Sequence, residues 1–336
     1  MKAGPYNMKL RKSRKKIRYG IIGCGNVAKS HAVAIIKNQS SALGAVFDID
    51  PARAKNFASR YHCKAEASLT SLLADASIDA VVVCTPHDTH KELALKILAS
   101  GKYCVCEKPL CLTESDCRDI IRADQAKKVI TVFQVRFHKP IQLLLERVRS
   151  GALGKIYFCS LTIRKNRGKK YFSDWHGNRK KTGGMLANHG VHGLDLMLEI
   201  CKEPLCIKSI DRNIRAFSPI EDAFIAQVVF ANGAIGNIEV LTCSGNERPE
   251  NSILIIGSKG SMKVGGKVFD RIEYIYDKTD NSLRCPQNRD SAGHIKIIAA
   301  TTDYILHKKK HTNLPFAEDG LRASRFVEQL YKKTWR

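Results

Sequence analysis

Four short groups of side chains in this 336-residue chain have the types and spacing to do chemistry. Gly23-Cys24-Gly25-Asn26-Val27-Ala28 reads G-x-G-x-x-A. Its glycines permit a tight turn and let the backbone approach a pyrophosphate at a helix N-terminus. Asp48 closes the next apolar run, where a carboxylate can accept hydrogen bonds from an adenosine ribose and repel a 2′-phosphate. That favours NAD over NADP, although Arg53 stands nearby. Cys84-Thr85-Pro86-His87 and Cys106-Glu107-Lys108-Pro109-Leu110 each end a continuous apolar run, the end of a strand where ligands gather in open α/β sheets. Glu107 and Lys108 are therefore expected to overhang a nicotinamide pocket. In the run from Gly183 to Asp195, Asn188, His192 and Asp195 fall at i, i+4 and i+7. On a helix these share one face, so one ligand can meet all three. His189 is offset by one residue and is expected to cap or pack.

These residues act only if the chain positions them. Hydrophobic periodicity predicts strands over 17–22, 42–47, 80–84, 103–106 and 129–133, alternating with helices over 27–37, 53–60, 91–98 and 115–126. Parallel neighbours need crossover helices, so residues 17–136 are predicted as an α/β Rossmann fold, a doubly wound parallel sheet that binds NAD. After Ser150-Gly151 the pattern changes. Strands are expected over 155–164, 207–215, 223–230, 234–241 and 252–256, with Asn232-Gly233 as a hairpin turn and one continuous helix over 185–200. Residues 137–336 are thus expected to form an α+β C-terminal domain with a largely antiparallel open sheet, for substrate binding and oligomerisation. Helices over 295–306 and 321–333 follow, the last expected to pack back on the Rossmann domain.

Composition narrows the classes further. With 44% hydrophobic and 26% charged residues, the chain is of globular type and neither disordered nor fibrous. No apolar run is long enough to cross a membrane, and no export signal is read, so a cytoplasmic protein is expected. The 12 cysteines lack paired C-x-x-C spacing; they read as small buried hydrophobes in a reducing compartment, with no metal site expected. Lys and Arg number 56 against 32 Asp and Glu, a net charge of +24. Part of the excess is a basic extension over residues 1–16, read as solvated rather than as a nucleic-acid arm. The remainder fits attraction to an anionic small molecule.

Taken together, the motifs resemble the Gfo/Idh/MocA oxidoreductases, the family of glucose-fructose oxidoreductase, inositol dehydrogenase and MocA. The resemblance implies an NAD-dependent dehydrogenase acting on CH–OH groups, with cofactor contacts at Gly23, Gly25, Asn26, Val27, Asp48, Thr85, Pro86, His90, Glu107, Lys108 and Gln134. It implies that Lys108 meets both the substrate hydroxyl and the nicotinamide ribose. Most members carry Asp where this chain has Asn188. Asn cannot take a proton, so His192 is expected as general base with Lys108 as its electrostatic partner.

Asn188, residues 134–138 and residues 164–177 are similar to one branch of that family. The branch oxidises C3 of UDP-N-acetylglucosamine or its uronic acid, so that a PLP aminotransferase can install a 3-amino group for lipopolysaccharide or another surface polysaccharide. It implies substrate contacts at Lys108, Arg136, Arg164, Tyr171, Trp175, Asn188 and His192, and a basic loop over 164–181 that meets the diphosphate. His176 stands where the branch has Arg. A homo-oligomer, dimer or tetramer, is implied through the exposed face of the second sheet. Three alternatives stay open: another sugar or cyclitol dehydrogenase, a 3-ketosugar reductase, and a non-catalytic NAD- and sugar-binding regulator.

Overall fold

The computed structural model describes residues 16–245, 249–278 and 289–334. Residues 1–15 of the basic extension, and Cys285, lie outside these.

The first half alternates strand and helix: β1 (Ile17–Ile22), α1 (Asn26–Lys37), β2 (Ser41–Phe47), α2 (Pro51–Tyr61), β3 (Lys64–Ala65), α3 (Leu69–Ala74), β4 (Ala80–Val83), α4 (His90–Ala99), β5 (Tyr103–Cys106), α5 (Glu114–Ala123) and β6 (Val129–Thr131). Ala80-Val-Val-Val83 is buried throughout, as a central strand covered by helices on both faces must be. The six strands pair in parallel in the order β3-β2-β1-β4-β5-β6. The order reverses between β1 and β4, which opens a crevice at the carboxyl ends of those strands. This is the expected doubly wound Rossmann sheet.

The second half comprises α6 (Lys139–Arg149), β7 (Ile156–Arg164), α7 (Arg179–Thr182), α8 (Val191–Cys201), β8 (Pro204–Arg212), β9 (Ala223–Phe230), β10 (Ile235–Leu241), β11 (Glu250–Gly257), β12 (Gly260–Gly265), β13 (Arg271–Asp277), α9 (Gly293–His307) and α10 (Ala317–Lys332). Its sheet runs β13-β12-β11-β7-β10-β9-β8 and is antiparallel except where β7 and β10 lie parallel. At the predicted hairpin, Gly233 takes φ +83° and its N–H donates to the Phe230 carbonyl at 2.9 Å. One face of the sheet sends Leu161, Ile238, Val240 and Ile253 into a core with Leu194, Met197, Phe326 and Leu330. On the other face, Tyr157, Ile225, Val229 and Ile235 are exposed.

One feature departs from the expected layout, and the packing of α9 on the first half was not anticipated. The single helix over 185–200 is instead a π-helical turn, Leu186–Gly190, running into α8. The turn inserts an extra residue into the α-helical ladder, so α-helical spacing does not carry across it. Helices α9 and α10 both reach back to the first half. Ile297, Ile298 and Tyr304 of α9 share a core with Ile17, Tyr19 and Ile21, and Thr302 shares a 2.9 Å hydrogen bond with the Tyr19 hydroxyl. Ala317 of α10 lies in the other Rossmann core layer, while Phe326, Val327 and Leu330 pack under the second sheet. Among the described residues, no helix is long and apolar enough to cross a membrane.

Candidate active site

The loop after β1 is shaped by close approach. Gly23 has φ +87°, and a Cβ there would lie 2.7 Å from the Cys84 carbonyl oxygen, so no larger residue fits. Gly25 is the N-cap of α1, carries no side-chain cap and faces open space; the first turn holds no acid. The unpaired N–H groups of this 12-residue helix are therefore free to receive an anion, which fits the pyrophosphate of a dinucleotide. Asp48 follows β2 directly. Its Oδ2 accepts the Cys24 N–H at 2.8 Å and its Oδ1 the Asp50 N–H at 2.9 Å, which fixes the carboxylate beside the glycine loop. The nearest Arg53 nitrogen stands 3.8 Å away. Asp48→Ala is expected to weaken NAD binding roughly 10-fold or more, by loss of charged hydrogen bonds, and to narrow the preference over NADP. Fluorescence titration of both cofactors measures it, and an unchanged preference contradicts the role.

At the end of β5, Glu107 is buried and turned inward. Its Oε1 accepts the His31 Nε2–H at 2.7 Å, with His294 Nε2 at 3.6 Å, and its Oε2 lies 3.2 Å from the Lys108 N–H. Burial opposes its ionisation, yet hydrogen bonds from His294 and His31 outweigh that and hold it well below the usual carboxylate range. The three side chains bring ligand atoms within 4.8 Å of one another, a donor set with metal-binding chemistry. At 2.7 Å, however, His31 and Glu107 are closer than two ligands of one zinc ion, about 3.3 Å for tetrahedral bonds near 2.0 Å, and the contact is a hydrogen bond. His90 places Nδ1 2.8 Å from the Pro109 carbonyl and Nε2 3.0 Å from the Thr85 carbonyl. Both residues were expected at the cofactor. Glu107 instead turns its carboxylate to His31 of α1 and His294 of α9, and His90 ties the two strand-end loops together, so they position Thr85, Pro86 and Lys108. Gln134 has its Oε1 buried with no partner among the described residues.

The two halves meet at Lys108, whose Nζ donates to the Asn188 carbonyl at 2.8 Å. Asn188 lies inside the π turn, where carbonyls leave the regular helical ladder. His192 begins the next turn. Its ring edge faces Phe133, with centroids 6.1 Å apart, and its buried Nδ1 has no partner among the described residues. Burial first, then the Lys108 charge, hold its pKa well below 6.5, so the imidazole is neutral and can accept a proton. Burial also lowers the Lys108 amine, against the pull of Glu107.

The Asn188 amide donates to the Tyr171 hydroxyl at 2.8 Å, and that hydroxyl lies 3.1 Å from His189 Nε2. Trp175 stacks on His176 and meets the edge of His87. His87 in turn bonds the Thr182 carbonyl at 2.9 Å across the two halves. The structure thus gathers Lys108, Tyr171, Asn188 and His192 in contact or in sequence, with Trp175 meeting His87.

Two expected substrate contacts are corrected. Arg136 is buried, and it grips both oxygens of Asp195, at 2.7 and 2.5 Å, with Asp319 at 3.1 Å. This also removes Asp195 from the shared ligand face inferred from helical spacing. Arg164 points to the exposed side of the sheet, paired with Glu239 at 2.5 and 2.8 Å and Glu250 at 3.1 Å. Lys165, read from sequence only as one of the basic loop residues, and His189, expected to cap or pack, join this cluster: Lys165 Nζ lies 3.5 Å from His189 Nδ1. The available signal was that Lys165 directly follows the predicted strand, at an end that faces the helix carrying Asn188.

Comparison with known proteins identifies the family. Residues 17–137 match the oxidoreductase family with an NAD-binding Rossmann fold, and residues 141–263 the GFO/IDH/MocA C-terminal domain. D-glucoside 3-dehydrogenase of Escherichia coli is 27% identical over 351 residues, covering 97% of each chain. Glucose-6-phosphate 3-dehydrogenase of Bacillus subtilis is 25% identical over 94% of this chain and 96% of that protein. The crystal structure of the WlbA dehydrogenase from Chromobacterium violaceum, in complex with NADH and UDP-GlcNAcA, is similar with a TM-score of 0.87 and 25% identity over 96% of this chain and 94% of that one. With its glycine loop, its Lys108 and its two-domain architecture in place, the chain belongs to the Gfo/Idh/MocA family, as an NAD-dependent oxidoreductase acting on CH–OH groups.

Proposed function

We propose that the chain oxidises the C3 hydroxyl of a UDP-N-acetyl-sugar, UDP-N-acetylglucosamine or its uronic acid, to the 3-keto sugar. The observation that carries this reading is the Lys108 amine fixed on the Asn188 carbonyl beside an uncharged His192. The likeness to the WlbA dehydrogenase supports it. NAD, when bound, accepts the hydride. Gly23, Gly25, Asn26 and Val27 would hold its pyrophosphate and Asp48 its ribose. His192 takes the hydroxyl proton on its free ring nitrogen. Lys108 donates a hydrogen bond to the oxygen as negative charge develops there, and the Asn188 carbonyl keeps that amine in place. Tyr171 and Trp175 line the sugar.

A 3-keto product has the carbonyl that an aminotransferase needs, consistent with use in surface polysaccharide synthesis. Copies of this chain associate in this reading through the apolar sheet face bearing Ile225, Val229 and Ile235.

The test is NADH formation by purified protein with NAD and, in turn, UDP-N-acetylglucosamine, its uronic acid and myo-inositol, with 2-oxoglutarate added in parallel to reoxidise NADH that stays bound, read as 2-hydroxyglutarate and 3-keto sugar formed. Turnover of a UDP-sugar is expected. Turnover of inositol alone would assign a cyclitol dehydrogenase, and silence with NAD demonstrably bound would overturn the dehydrogenase reading in favour of a reductase or regulator. The depressed His192 pKa sets a further expectation. The acidic limb of kcat/KM should fall below pH 6.5, because the base is deprotonated above its own pKa. A limb above 6.5 would remove His192 as the base.

A further inference from the structure

We infer that the sugar ring oxidised at this site carries an anionic group, a carboxylate or a phosphate, and that Lys165 and Arg167 receive it. The inference deepens the reading above and rests on it for the placement of the ring beside Lys108 and His192.

Lys165 and Arg167 follow β7 directly, and their backbone is fixed. The Lys165 N–H donates to the Leu241 carbonyl at 2.9 Å and the Arg167 N–H to the Thr242 carbonyl at 3.0 Å, with Asn166 bridged to Cys243 between them. Their side chains join the cluster around Asn188. Lys165 Nζ lies 3.5 Å from His189 Nδ1, and the Arg167 guanidinium lies 4.5 Å over the ring of Tyr171, the residue whose hydroxyl bonds both Asn188 and His189. Asn188 in turn holds Lys108. Tyr171 alone therefore separates Arg167 from Asn188, and His189 and Tyr171 separate Lys165 from it.

What distinguishes them is the absence of a counter-charge. Among the described residues, none of Lys108, Lys165 and Arg167 stands within ion-pair distance of a carboxylate. Their neighbours in the same basic segment are either paired, Arg164 with Glu239 and Glu250 and Arg179 with Glu221, or, like Lys169, Lys170, Lys180 and Lys181, exposed to solvent. The Arg167 Nε is buried with no hydrogen-bond partner among the described residues. An unpartnered buried donor is costly, and a cluster of like charges without an acid more so, unless a ligand supplies the missing negative charge. Burial, with Lys108 and Arg167 adding to it, draws the Lys165 amine down to about 7. A guanidinium fork and an amine in one cluster suit the oxygens of a carboxylate or phosphate, whose negative charge would draw the Lys165 amine back to its protonated form, and a ring bearing only hydroxyls would leave the Arg167 charge unmatched.

Two pairs of compounds separate the possibilities: UDP-N-acetylglucosaminuronate against UDP-N-acetylglucosamine, and glucose 6-phosphate against glucose. Each pair is measured by kcat/KM with NAD and, independently of turnover, by calorimetric Kd with NADH present. The acidic member of one pair is expected to be preferred roughly 10- to 100-fold, the range for a charged hydrogen bond or two, and the pair that responds identifies carboxylate or phosphate. Lys165→Gln combined with Arg167→Gln should collapse that ratio. Equal use and equal binding of acidic and neutral members by the unaltered protein would overturn the inference, as would a preference that survives the double substitution. If no compound is oxidised yet the acid is preferred in Kd and the preference is lost in the variant, the anion site stands and the dehydrogenase reading fails.

Discussion

Lys108→Met lowers kcat by about 10²- to 10⁴-fold, the range for loss of a positioned proton-transfer or charge-stabilising group, while NAD still binds. Methionine keeps the length and apolar stem of lysine, so the loop between β5 and α5 keeps its packing. What is lost is the ammonium that the Asn188 carbonyl holds at 2.8 Å and that in the proposed mechanism faces the developing alkoxide. His192→Gln should reduce turnover by a similar factor, because glutamine retains polarity and cannot accept the proton. The acidic limb of the pH profile should disappear with it. Steady-state kinetics beside a NADH fluorescence titration separates chemistry from binding. Near-normal turnover in either variant would sink the assignment of that residue.

Arg136→Met is expected to destabilise the fold by about 3–5 kcal/mol, the cost of removing one partner of a buried ion pair. The carboxylate of Asp195 would lose both its hydrogen bonds and would face Asp319 and Glu199 without the charge that now separates them. The shift of the urea midpoint measures this, and a loss below about 1 kcal/mol, the level of an exposed pair, would contradict it. Adding Asp195→Leu should recover a large part of the stability, since replacing both partners by apolar groups avoids the unpaired charge. Asp195 sits on the same helix as His192, so the single variant should lose activity at denaturant concentrations where the unaltered protein keeps it.

The contrast between Arg136 and Lys165 shows how far a sequence can be read here. The parallel sheet was legible because its determinants are local: the glycines after β1, the apolar runs of β4 and β5, and helices of matching length between them. The type of the second sheet was legible from Asn232-Gly233 and the alternation that follows. Strands β12 and β13 and helices α3 and α6 were missed, since Gly260–Gly265 begins and ends in glycine and Leu69–Ala74 is a short helix of six residues. Within the site, Gly23, Asp48, Lys108, Asn188 and His192 were identifiable from motif and position. The fate of each arginine and lysine was not. Arg136, Arg164, Lys165 and Arg167 look alike as residues, and whether each meets a carboxylate depends on acids that arrive from Asp195, Glu239 and Glu250, far along the chain. The π turn was hidden for a related reason: the apolar pattern around it is buried on nearly every side, so periodicity gives no sign of a one-residue shift.

Tyr19, on the first strand, meets its hydrogen-bond partner Thr302 only 283 positions later. During synthesis the cofactor half is begun first and finished last, because Ile297, Ile298 and Tyr304 must emerge before its outer face is covered. A fragment cut after residue 137 would therefore display that apolar face to solvent. An engineer exchanging cofactor modules between relatives would need to move α9 along with the Rossmann sheet, treating two distant stretches of the gene as one cassette.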